Sequence, residues 1–174
     1  MSLRRMFCKA AAFAAGTALI LVGAAPANAG MVGGGGQPGP REPVDTGLPA
    51  TFPAGVVCDF QITVSEVANN EYSRTFPNGN ILTTGRLVVR ITNDETGDSV
   101  MRNASGPGVL TTGPNGEQVL IAHGPTLFPV FEGEDATGRV GVGAFLFHGT
   151  IVFAGGRLTS VSGSYEDLCT TLAG

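Results

Sequence analysis

From Val56 onward, turn-forming residues interrupt the chain about every ten positions, and this spacing limits its fold more than any other feature of the sequence. The breaks fall at Asn78-Gly79, Asp94 to Gly97, Gly106 to Gly108, Pro114 to Gly116, His123 to Pro125, Gly133 to Gly138 and Gly155-Gly156. The runs between them are rich in Val, Ile, Thr, Phe and Leu. In CDFQITVSEV, Phe60, Ile62 and Val64 alternate with Asp59, Gln61, Thr63 and Ser65; in RLVVRIT, Leu87, Val89 and Ile91 face one way while Arg86, Arg90 and Thr92 face the other. A period of two is the mark of a half-buried strand. Seven breaks leave about eight strands, which predicts an all-β fold, an antiparallel sandwich or barrel. The run VGVGAFLFHGTIVF, Val140 to Phe153, is too apolar for an exposed strand, and its glycines argue against a buried helix. It is expected to be one central strand bent by a bulge beside Gly149, with GRLTSVSGSY returning across Gly155-Gly156. EDLCTTLAG is expected to close the domain with a helical turn.

Ahead of this domain the sequence has a different character. Residues 1–29 join basic Arg4, Arg5 and Lys9 to an apolar stretch and then to Ala27-Asn28-Ala29, the layout of a secretory signal peptide cut before Gly30. The apolar stretch, Ala10 to Ala25, is shorter than the roughly 20 residues that span a bilayer, so no stable membrane insertion is expected after cleavage. Residues 30–53 are dense in Gly and Pro and have no hydrophobic period. Such a segment buries too little apolar area to offset its ordering entropy, which predicts a disordered, flexible linker leading into a secreted domain over residues 54–174.

Cleavage would remove three of the ten cations and none of the fourteen acids, taking the formal charge from -4 to -7. An acidic surface lacks the basic footprint that phosphate backbones require, so nucleic acid is not the expected partner. Cys8 leaves with the leader, and Cys58 and Cys169 remain. An even number of cysteines in an exported chain predicts one disulfide. It would close a loop of about 110 residues and add roughly 4 to 5 kcal/mol by the chain-entropy argument.

Several stretches invite a chemical reading. Asp94, Glu95 and Asp98 lie in ITNDETGDSV, but the spacing of a calcium loop is missing, and Asn93, Asp94 and Gly97 are what a tight hairpin needs. Asn103-Ala104-Ser105 fits a glycosylation sequon, and Gly106-Pro107-Gly108 lacks the strand-to-helix setting of a phosphate loop. No nucleophile elbow surrounds Ser162, and His123 and His148 stand too far apart for a recognisable metal motif. His148, inside the most apolar run, is expected to be a core histidine with one satisfied hydrogen bond. Glu132, Glu134 and Asp135 read as a solvated loop. No catalytic residue, metal or cofactor is assigned.

FPAGVVCDFQITV, TFPNGNILTTGRL, ITNDETGDSV, NASGPG and EDLC together resemble a group of small exported actinobacterial proteins of unassigned function, over about Thr51 to Leu172. The resemblance implies a secreted, β-rich domain bridged between Cys58 and Cys169, and brings no activity with it. The leading expectation is a non-enzymatic extracellular or cell-envelope binding module, held to an unidentified partner outside the cell. Its rivals are a purely structural envelope protein and a small β-barrel enzyme or apolar-ligand carrier. In the last of these, Arg86, Arg90 and His148 would be the polar groups of an interior site.

Overall fold

The computed structural model describes residues 36–174; the leader and the first residues of the Gly/Pro-rich segment lie outside them. In chain order the strands are β1 (Glu42–Pro43), β2 (Ala50–Phe52), β3 (Ile62–Asn69), β4 (Tyr72–Thr75), β5 (Ile81–Thr84), β6 (Leu87–Asn93) and β7 (Ser99–Asn103). They continue as β8 (Gly108–Thr112), β9 (Gln118–His123), β10 (Thr126–Val130), β11 (Gly143–Phe147), β12 (Thr150–Ala154), β13 (Arg157–Val161) and β14 (Tyr165–Asp167), followed by the helix α1 (Leu168–Leu172). The fold is all-β, and every strand pairing is antiparallel. Three sheets form, in the orders β1-β4-β5-β8-β9-β12-β13, β10-β11-β14 and β2-β3-β6-β7, and none closes into a barrel.

The small middle sheet sets the architecture, because β11 is buried along its whole length. Its residues point alternately into two separate cores. Ala144 and Leu146 pack with Ile62, Val64, Val89 and Ile91 of the four-stranded sheet and with Leu168 and Leu172 of α1. Phe145 and Phe147 pack with Ile151, Phe153, Leu158 and Val161 of the seven-stranded sheet. Full burial of a large apolar side chain contributes about 1.5 to 3 kcal/mol, and β11 places such side chains in both cores.

The run Val140 to Phe153 is not one bent strand but two, β11 and β12, in different sheets, joined at His148-Gly149. A β-carbon on Gly149 would lie 1.9 Å from the Ser162 carbonyl oxygen, so the crossing needs a glycine. The bulge lies elsewhere, between Val152 and Phe153. The strands are more numerous than the turn spacing indicated, since some crossings between sheets carry only a single glycine, as at Gly85 and Gly149, or none, as β3 to β4 does at Asn70-Glu71.

The segment expected to be a linker up to Pro53 is part of the fold in its described portion. Pairs Glu42↔Ser73 and Pro43↔Tyr72 attach β1 to β4, β2 pairs with β3, and the Arg41 guanidinium lies 4.2 Å from the centre of the Tyr72 ring. Proline is tolerated because these are edge strands bonded on one side, and strands of two or three residues are too short to show a period. By contrast, the hairpin across Gly155-Gly156 is present, with φ of 57° and 76° at the two glycines. Two consecutive positive φ values match the right-handed twist of the flanking strands, which is why glycine occupies both positions.

The disulfide links Cys58 to Cys169, with the Cα atoms 5.3 Å apart. Asp167 caps α1 by accepting from the Cys169 and Thr170 N–H groups, which places Cys169 against the segment preceding β3. A bridge with one cysteine buried in the first core fits an oxidising, extracellular-type environment.

Candidate functional site

The polar stretches of the sequence are mostly consumed in holding the chain. In the loop between β6 and β7, Asn93 is the organiser and is buried. Its Oδ1 accepts from the Glu95 N–H at 2.9 Å, and its Nδ2 donates to the Leu172 carbonyl at 3.1 Å, tying the hairpin to α1. Asp94 turns back onto the sheet, where its Oδ2 accepts from Thr63 Oγ1 at 2.7 Å and Gln61 Nε2 at 2.9 Å. Asn103 folds onto its own turn, with Oδ1 accepting from the Ser105 N–H at 3.0 Å.

The acidic cluster at 132–135 is a loop built around one carboxylate. Asp135 Oδ1 accepts from the N–H and hydroxyl of Thr137 and from the Gly138 N–H, while Oδ2 accepts from the N–H groups of Val140 and Gly141, each at 3.0 Å. Desolvation opposes the charge, and the donors together outweigh it and hold the carboxyl well below the usual range. Glu134 Oε2 accepts from the Phe131 N–H at 3.0 Å. The loop also covers the edge of β13, since the Leu158 N–H donates to Glu134 O at 2.8 Å and the Ala136 N–H to Leu158 O at 3.0 Å. A groove of about 240 Å³ lies over it, lined by Phe131, Gly133, Asp135, Gly138, Gly141 and Val142.

Arg86, Arg90 and His148 are all exposed, and the interior polar site expected of them is not formed. Arg90 projects from β6 on the outer face of the four-stranded sheet, opposite Ser65 and Met101. His148 is not a core histidine; it stands at the crossing from β11 to β12, where the chain leaves one sheet for the other. His123 is exposed, with Nδ1 2.9 Å from Thr150 Oγ1. Among the described residues no three His, Cys, Asp or Glu side chains gather as a metal site, and no helix is long and apolar enough to cross a membrane.

What the sequence reading missed is a surface. The core-facing residues of the seven-stranded sheet include Leu120, Ala122, Ile151 and Phe153, so the alternate residues face outward. In register across four neighbouring strands these are Leu82 (β5), Val109 (β8), Ile121 (β9) and Val152 (β12). All four are half-buried and belong to neither core. Arg74 continues the row on β4 and Ser160 on β13. A groove of about 220 Å³ lies beside Leu82 and Val109 at the turn between β4 and β5, lined by Phe76, Asn78, Asn80, Leu82 and Val109. Arg74 Nε is buried and makes no hydrogen bond among the described residues. A signal for this face existed in the sequence: Ile81-Leu82, Val109-Leu110, Val119-Leu120-Ile121 and Ile151-Val152-Phe153 are consecutive apolar residues, and neighbours on a strand cannot both face one core.

Compared with known proteins, the chain matches no family model, no curated protein and no solved structure.

Proposed function

We propose that this protein is a secreted, non-enzymatic binding module whose working surface is the outer face of the seven-stranded sheet. The observation that carries the reading is the in-register apolar row Leu82, Val109, Ile121 and Val152 on a face that packs against neither core. A contiguous, half-buried apolar row on an outward sheet face is a candidate interaction site. The three-part leader and the disulfide support export to an oxidising place. The two cores on either side of the middle sheet support describing the domain as a layered sandwich. In this reading the carboxylates and amides of the loops are scaffold, as the five donors on Asp135 illustrate.

The test uses protein secreted by its own host. Its intact mass should begin at Gly30, and it should co-sediment with envelope material from that host. Ile121→Gln should lose most of this association while its melting temperature stays within a few degrees of the parent. Retention of the leader, or full association by a folded Ile121→Gln variant, would overturn the proposal.

A further inference from the structure

Taking that surface as the binding face, we infer that it accepts a single-chain anionic amphiphile, a fatty carboxylate. The acyl chain lies along Leu82, Val109, Ile121 and Val152, and the head group sits at Arg74. Two observations point to this occupant. The first is shape. Four adjacent strands give an apolar track about 14 Å long, with neighbouring strands roughly 4.8 Å apart. On its β5 and β8 half the track is one side chain wide, because Thr84 and Thr111 are the next outward residues on those strands. The groove of about 220 Å³ beside Phe76, Leu82 and Val109 adjoins the track and is small enough to suit a slender chain.

Charge is the second observation. The strands contribute Arg74 and Arg157 to this face and no carboxylate, although acids outnumber cations in the chain as a whole. A cationic end on an apolar track calls for an anionic head. A carboxylate beside a guanidinium makes the charge-assisted form of hydrogen bond. A second copy of the chain fits less well. The four half-buried side chains of the track offer far less than the roughly 800 Å² per partner of a stable interface.

The experiment titrates the secreted, disulfide-bonded protein with dodecanoate below its micellar concentration, following amide chemical shifts and heat. Saturable one-to-one binding is expected, with shifts centred on Leu82, Val109, Ile121 and Val152. Arg74→Gln should weaken dodecanoate about tenfold and abolish its advantage over dodecyl maltoside, a neutral-headed control. Val109→Thr, a near-isosteric change that keeps a strand-forming side chain, should weaken both amphiphiles alike. The inference is overturned by no saturable binding, by equal binding of dodecyltrimethylammonium, by an unchanged affinity in folded Arg74→Gln, or by shifts that map to another face. If dodecanoate fails while Ile121→Gln still loses envelope association, the ligand class is wrong and the surface stands. If folded Ile121→Gln keeps that association, the surface itself is wrong.

Discussion

At the scale of single residues, the carboxyls of Asp135 and Glu71 move in opposite directions for reasons visible in their surroundings. Asp135 is surrounded by donors and stays charged. Glu71, in the crossing from β3 to β4, is pushed up to about 6, first by desolvation and then by the charge of Glu66. Because the folded state holds this proton more tightly than the unfolded chain, stability should fall as pH rises from about 4.5 through 6. The cost is fully present above that window and absent below it. Allowing for solvent screening at a half-exposed site, it amounts to about 1 kcal/mol. Denaturant titrations of the parent and Glu71→Gln at pH 4.5 and 7.5 should show the variant more stable at the higher pH and equal at the lower. Equal curves at both pH values would remove Glu71 as the cause. Neither carboxyl was legible in the sequence, where Glu71 looks like any acid in a turn and Asp135 like one of three, because a pKa depends on atoms brought from distant positions.

At the scale of elements, legibility followed the strength of the local rule. The alternation in β3 and β6 and the Gly155-Gly156 hairpin were readable, since period and positive φ are written into a few adjacent residues. The change of sheet at His148-Gly149 was not, since an apolar run carries the same pattern whether it continues or crosses over. The close approach of Gly149 to Ser162 and Gly163 makes this crossing intolerant of any side chain. Gly149→Ala should therefore cost at least about 3 kcal/mol, as an overpacked backbone contact does at the upper end of its range. Gly79→Ala, in an open turn where φ is 83° but no atom lies within 4 Å of a β-carbon, should cost only about 1 kcal/mol. Urea midpoints would measure the contrast, and a Gly149→Ala variant as stable as the parent would mean that the crossing can relax. The outer apolar row illustrates the same limit, because each consecutive pair announces that one residue faces outward without saying which strands lie side by side.

At the scale of the whole molecule, the disulfide joins residues 111 positions apart and so restrains nearly the whole described domain. Reduction should lower stability by about 4 kcal/mol, chiefly by returning freedom to the unfolded chain. Chemical denaturation with and without reductant would check this, as would the absence of titratable thiol in the oxidised, denatured protein. The same molecule depends on one five-residue strand between its two cores. Since Ala144 and Leu146 serve one core and Phe145 and Phe147 the other, neither flanking sheet can come away without baring a face of β11. The backbone amides of Phe145 to Phe147 should therefore exchange with deuterium only through global opening, at the slowest rate in the protein, while β7, an edge strand bonded on one side, exchanges by fraying. A domain wired this way has no half-open form: the strand that gives it two interiors also makes them open together.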